Sequence, residues 1–140
     1  MTMTPIVLSK DQMVIQREQD VVPFRNRVKE LAVKIGMSLV NQTKLITGAS
    51  ELVRNMLKYG KGGEVKMEIL STARDRGIRL VFEDRGPGIP DISKAMLDGF
   101  TTGRSMGLGL PGTKRLMSEF NIWSEPGKGT KVTVVKWKNG

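Results

Sequence analysis

The chain has 140 residues, with 23 lysines and arginines against 14 aspartates and glutamates, a net charge of +9, and neither cysteine nor histidine. That length predicts one compact domain with a real core, burying roughly two thirds of its unfolded surface. No run of about 18 apolar residues is present to cross a membrane, and the lack of cysteine excludes disulfides and thiolate metal sites. The start, Met1-Thr-Met-Thr-Pro5, has neither the basic opening nor the apolar stretch of a signal peptide, so a cytoplasmic protein is expected. Without histidine, the usual general base and any phosphohistidine acceptor are missing. The basic residues are spread along the chain, and two Trp, one Tyr and four Phe are too few for a stacking platform. The charge is therefore read as serving an acidic protein partner or an anionic ligand, with no specific nucleic acid and no membrane.

Residues 1–12 are expected to precede the domain, which runs from 13 to 140 and opens with a short strand over 13–17. Asp20 is expected to cap a helix whose apolar positions Val21, Phe24, Val28, Leu31 and Ile35 step by three and four. Pro23 falls in its first turn, where proline is tolerated, and Gly36 ends it. A second helix is predicted from about Asn41 to Tyr59, with a buried stripe of Leu45, Ala49, Leu52 and Met56, stopped by Gly60-Lys-Gly-Gly63. Val65, Met67 and Ile69 alternate with Lys66 and Glu68, the period of a half-buried strand. A turn at Arg74–Gly77 leads to a strand with Ile78, Leu80 and Phe82 on one face. Asp91 opens a short helix to about Leu97, and Asp98–Gly109 is glycine-rich with little periodicity. A helix from about Leu110 to Phe120 precedes closing strands near Ile122–Ser124 and Lys131–Trp137. This layout predicts an α/β two-layer sandwich of the α+β kind, with helices on one face of a mixed sheet.

Four short motifs carry the chemistry. In Glu51-Leu-Val-Arg-Asn55 the acid and the amide are four apart on one helix face, extended a turn by Lys58 and placed opposite the Leu45–Met56 stripe. Taken alone, that face reads as a solvated surface. Taken functionally, Asn55 offers an amide oxygen to Mg²⁺, Glu51 orients or deprotonates an attacking hydroxyl, Lys58 reaches a phosphate and Tyr59 packs on a nucleotide. Asp84, in Asp84-Arg-Gly86-Pro-Gly88, continues the parity of Ile78, Leu80 and Phe82, so a carboxylate points toward the core and needs a donor. Gly86 and Gly88 let backbone approach closely. Gly103-Arg-Ser-Met-Gly107-Leu108-Gly109 precedes a helix carrying Lys114 and Arg115, and free N–H groups at a helix start make an anion site. Gly103, Gly107 and Gly109 permit a loop to fold over phosphates; Arg104 reads equally as a phosphate or partner contact and as a surface charge. Thr130, in Gly127-Lys-Gly129-Thr130, shares the parity of Val132 and Val134 and faces the apolar side. The glycines match neither a Walker A loop nor a dinucleotide-binding fingerprint.

In this order the four motifs resemble the Bergerat, or GHKL, ATP-binding fold of histidine kinases and gyrase. The resemblance implies that Asp84 accepts from the adenine amine, that Thr130 joins it, often through water, and that the glycine loop with Leu108 covers the phosphates. The runs Glu83–Ile92, Asp98–Thr102 and Gly109–Met117, with Glu119-Phe120, look most like the RsbT-type anti-sigma regulatory switch kinases, over about residues 13 to 137. That likeness implies a serine/threonine kinase using ATP and Mg²⁺ on a STAS-domain antagonist, released afterwards to a downstream partner such as a PP2C-type phosphatase. The competing class is a binding module, such as an anti-sigma factor, that holds nucleotide and partner with little or no transfer.

Overall fold

The computed structural model describes residues 4–89, 92–97 and 109–140. The elements are β1 (Ile6–Ile15), α1 (Val21–Lys34), α2 (Leu39–Tyr59), β2 (Gly63–Ser71), β3 (Arg76–Asp84), α3 (Ile92–Ala95), α4 (Gly109–Leu116), β4 (Glu119–Glu125) and β5 (Gly129–Trp137). Five strands form one sheet in the order β1-β2-β3-β5-β4. One face carries Met13 and Ile15, Val65, Met67 and Ile69, Ile78, Leu80 and Phe82, and Val132 and Val134; these pack with Phe24, Val28 and Leu31 of α1 and Leu45, Leu52 and Met56 of α2. The opposite face bears cross-strand polar pairs, among them Arg79 donating to Glu68 at 2.7 Å. Two layers with helices on one face are thus the observed architecture.

The expected mixed sheet is instead antiparallel at every pairing. The crossover from β3 returns the chain in the direction of β3, as a parallel crossover does. It skips one position, and β5 turns back through the β4–β5 hairpin to fill the gap, so no two neighbours run parallel.

The first strand is also longer than expected. β1 begins at Ile6, so residues assigned to a preceding segment belong to the sheet. Its register against β2 shifts between Val7 and Ser9, which puts Val7 opposite Leu70 and Ser9 opposite Ile69. The bulge breaks the two-residue alternation before Ser9 and hides the strand from a periodicity argument. Asp11 sits on the helix-facing side, where Arg27 Nε donates to it at 2.6 Å and ties β1 to α1. That bond holds the Asp11 carboxyl below the usual carboxylate range.

Asp20 does not cap α1 forward. Its carboxylate accepts from the backbone N–H of Gln16 at 2.9 Å and of Arg17 at 3.0 Å, fixing the turn that leads in. Gly36 ends α1 as expected, at φ 79, with Met37 N donating to Ala32 O at 3.0 Å. Ser38 caps α2 by accepting from Asn41 N at 3.2 Å. The last helix stops at Leu116, short of Phe120. Ser118 N donates to Val135 O at 2.8 Å, which brings the chain into the sheet, and Glu119–Glu125 then alternates outward and inward as a strand.

Candidate active site

β3 ends at Asp84, on the face of the sheet that carries Phe82. Across the sheet it lies opposite Gly63 of β2 and Thr130 of β5, so three strands meet there. Asp84 Oδ1 accepts from Gly86 N at 2.9 Å, an Asp-turn that bends the chain away just after the strand. Glycines surround it. A Cβ on Gly60, at the end of α2, would lie 2.4 Å from the Asp84 carboxyl carbon and 2.5 Å from Oδ2. One on Gly86 would lie 2.6 Å from Gly60 Cα, one on Gly63 2.2 Å from Glu83 O, and one on Gly129 2.2 Å from Asp84 O. Real Cβ atoms are not found at such distances, so helix end, turn and three strands close around this carboxylate only because all four lack side chains.

The following turn is held from the other side. Gly88, at φ 79, presses on the β4–β5 hairpin, and Gly127 N donates to Pro87 O at 2.8 Å. Ser124 of β4 accepts from Ile89 N at 2.7 Å, donates to Gly129 O at 2.9 Å and stands 2.9 Å from Thr130 Oγ1. Thr130, half-buried, therefore lies between Asp84 and Ser124 on the inner face.

The other half of the site is α2. Of the two readings of the Glu51–Asn55 face, the solvated surface does not hold: Glu51 is 5% exposed and Asn55 half-buried. The cause is α4, which packs on that flank at Gly48, where a Cβ would lie 2.3 Å from Met117 Cε and 3.4 Å from Thr113 Cγ2. Arg54 Nη1 stands 4.0 Å from Glu51 Oε2. Among the described residues no hydrogen bond ends on the Glu51 carboxylate, and no fully buried side-chain oxygen lacks a partner. Its oxygens are therefore not sealed from solvent. Lys58 is exposed, with Nζ 5.1 Å from the centroid of the Tyr59 ring, a cation–π contact. Glu51 lies nine residues before Gly60, about 13 Å along α2 from the helix end that packs against Asp84.

Gly109 opens α4 at φ 70, and its carbonyl accepts from the fully buried Thr113 hydroxyl at 3.0 Å. Lys114 and Arg115 lie in the last turn of α4, away from the helix start at which an anion site was expected; there they complement the C-terminal dipole. Gly103, Arg104, Gly107 and Leu108 lie outside the described residues. Gly60, Gly63, Gly129 and Ser124 were not anticipated as site residues. The surplus of glycine in Gly60-Lys-Gly-Gly63 was a usable signal, because one glycine suffices to end a helix. Ser124 left none, being one polar residue in a strand.

This site fits a nucleotide whose base presents an amine. A carboxylate faces inward from a cradle that any Cβ would fill, and a second carboxylate and an amide sit further along the helix at its wall. A profile of the family described as histidine kinase-, DNA gyrase B-, and HSP90-like ATPase matches residues 40–139. The chain is 42% identical over 123 residues to the serine/threonine-protein kinase RsbT of Bacillus subtilis, covering 88% of this chain and 92% of that protein. It is 31% identical over 118 residues to an anti-sigma F factor of Thermoanaerobacter, covering 81% and 82%. In fold it is similar to the RsbU and RsbW domains of a Mycobacterium tuberculosis protein, with TM-score 0.60 and 18% identity, over 91% of this chain and 32% of that one. The chain belongs to the histidine kinase-, DNA gyrase B- and HSP90-like ATPases. Within that family of ATP users it is a protein kinase of the RsbT type. No helix among the described residues is long and apolar enough to cross a membrane.

Proposed function

We propose that this protein transfers phosphate from ATP to a serine or threonine of a STAS-domain antagonist, as a switch in sigma-factor or stress signalling in the cytoplasm. The observation that carries the reading is Glu51, a carboxylate buried to 5% exposure on the helix whose end presses Gly60 against Asp84. Its side chain is packed in, yet no hydrogen bond among the described residues engages its oxygens, which supports a carboxylate kept for an incoming hydroxyl; a module that only held nucleotide would not need one.

When bound, ATP would supply the phosphoryl group and Mg²⁺ would offset the charge on its oxygens. The chain's own groups do the rest. Asp84 accepts from the adenine amine, helped by Thr130, while Gly86 and Gly88 give the ring room. Tyr59 packs on the nucleotide and Lys58 reaches its phosphates. Asn55 would hold Mg²⁺ through its amide oxygen, the kind of ligand that hard cation prefers. Gly103, Gly107, Leu108 and Gly109 are the residues that the family resemblance assigns to the phosphates. Glu51 orients the acceptor hydroxyl and takes its proton. Once its antagonist is phosphorylated, the kinase is free to engage a downstream effector, such as a PP2C-type phosphatase.

The likeness to an anti-sigma F factor favours a second reading, an ATP-binding module that holds a partner with little or no kinase activity. One experiment separates the two. The protein is incubated with γ-labelled ATP, Mg²⁺ and the STAS protein encoded nearest its gene. Phosphoserine or phosphothreonine that disappears with Glu51→Ala supports the kinase reading. Nucleotide binding and a stable STAS complex without transfer would establish the binding module instead.

A further inference from the structure

We propose that the groove between α1 and α2 is a docking site for an acidic amphipathic helix of a protein partner. The groove encloses about 330 Å³. Its lining is amphipathic: Val22 of α1 is 58% exposed, Leu39 of α2 is 74% exposed and Ile46 is half-buried, with the neutral polar Asn26, Gln42 and Thr43 beside them. Its rim is basic. Arg25 and Lys29, one turn apart on α1, are both exposed. The neighbouring acid, Glu30, is turned away and accepts from Arg27 at 3.0 Å. Among the described residues lining the groove none is acidic.

Three physical arguments choose the occupant. Both walls are helices and neither offers a strand edge, so an extended peptide would find no ladder to pair with. A third helix can instead set its ridge between two packed helices, offering anchors at i, i+3 or i+4, and i+7. Adjacent cations without an internal acid favour carboxylates on that helix's flanks, which would also steer its approach. A nucleic acid would match the cations but press charged phosphates against Val22, Leu39 and Ile46, which cannot replace the water those phosphates lose.

The groove is remote from the phosphotransfer site. At 100° per residue Glu51 lies about 140° round α2 from Ile46, and Asn55 about half a turn. A helix docked here leaves the nucleotide side open. The inference therefore stands whether or not Glu51 proves catalytic, and a partner held here can remain while an acceptor visits the other flank.

The test is a display library of helical peptides, randomised on all faces, selected against the whole protein. Enrichment of helices with an apolar i, i+3/i+4, i+7 stripe flanked by Asp and Glu is expected. Their affinity should fall at least tenfold with Arg25→Glu/Lys29→Glu, and again with Leu39→Ser, while ATP affinity and melting temperature stay unchanged. These positions are exposed, so the variants keep the core. Amide shifts on binding should centre on Val22, Leu39 and Ile46. Failure to enrich any helix, enrichment of basic or neutral ones, or shifts centred on the outer sheet face or on Glu51 would each overturn the proposal. So would binding of single-stranded RNA that is lost with the charge reversal, or a dimer in sedimentation that Leu39→Ser dissociates.

Discussion

Gly60→Ala isolates the cradle around Asp84 from every other feature of the site. Gly60 has φ −99 and ψ −1, a backbone open to alanine, so the substitution strains no torsion. What it adds is a methyl 2.4 Å from the Asp84 carboxyl carbon and 2.5 Å from Oδ2. The helix end is fixed by Gly60 N donating to Met56 O at 2.9 Å, and Gly86 lies behind Gly60, so the carboxylate must give way. Turning it weakens the bond from Gly86 N, worth about 0.5–1.5 kcal/mol, which the stiffer unfolded chain of alanine offsets by about 0.4–1 kcal/mol. Stability is thus nearly unchanged, within about 1 kcal/mol or a few degrees in Tm. Nucleotide binding is not spared. A charge-assisted hydrogen bond to the adenine amine is worth about 1.5–3 kcal/mol, so affinity for ATP should fall roughly 10- to 150-fold. Calorimetry on Gly60→Ala, Asp84→Asn and the double variant measures this, and the double should lose little more than either single because both remove one interaction. Wild-type ATP affinity in Gly60→Ala, alongside weak binding in Asp84→Asn, would refute the argument that glycine at 60 positions the carboxylate.

Other outcomes follow from the same contacts. Glu51→Ala should retain nucleotide affinity while transfer falls by roughly 10²–10⁴, as read by single-turnover kinetics; unchanged transfer would return Glu51 to a structural role. Ser124→Ala removes the acceptor for Ile89 N and the donor to Gly129 O, and should lower stability by about 1–3 kcal/mol in urea unfolding. It should also weaken ATP binding, since the Asp84 turn and Thr130 both lean on that hydroxyl. The Arg79 guanidinium, by its hydrogen bond, holds the Glu68 carboxyl below its ordinary value of 4.5. A carboxyl depressed in the folded state contributes stability that is present above that ordinary value and is lost as pH falls through the folded one. Arg79→Met should therefore cost a few tenths to about 1 kcal/mol near neutrality, and the difference from wild type should vanish in acid unfolding below that range.

Local pattern was enough for most of the frame. The three-and-four spacing of Val21, Phe24, Val28 and Leu31 and the alternation of Val65, Met67 and Ile69 each follow from one element meeting one apolar layer, which a sequence records directly. Parity alone also aimed Asp84 and Thr130 inward, and register puts them opposite each other. What parity could not say is which strands would be neighbours. That β5 lies between β3 and β4, so that Ser124, Thr130, Asp84 and Gly63 share one row, depends on a hairpin filling the gap left by a crossover. The bulge at Leu8 hid half of β1 for a related reason, because a two-residue period survives only while each residue has one partner. Glu51 was legible as an acid beside an amide but not as a buried one. Its helix is covered by α4, more than fifty residues later in the chain, through a contact that Gly48 admits by having no side chain. Spacing along a chain dictates which side chains share a face; only the packing of distant elements decides whether that face meets water, a neighbour or a ligand.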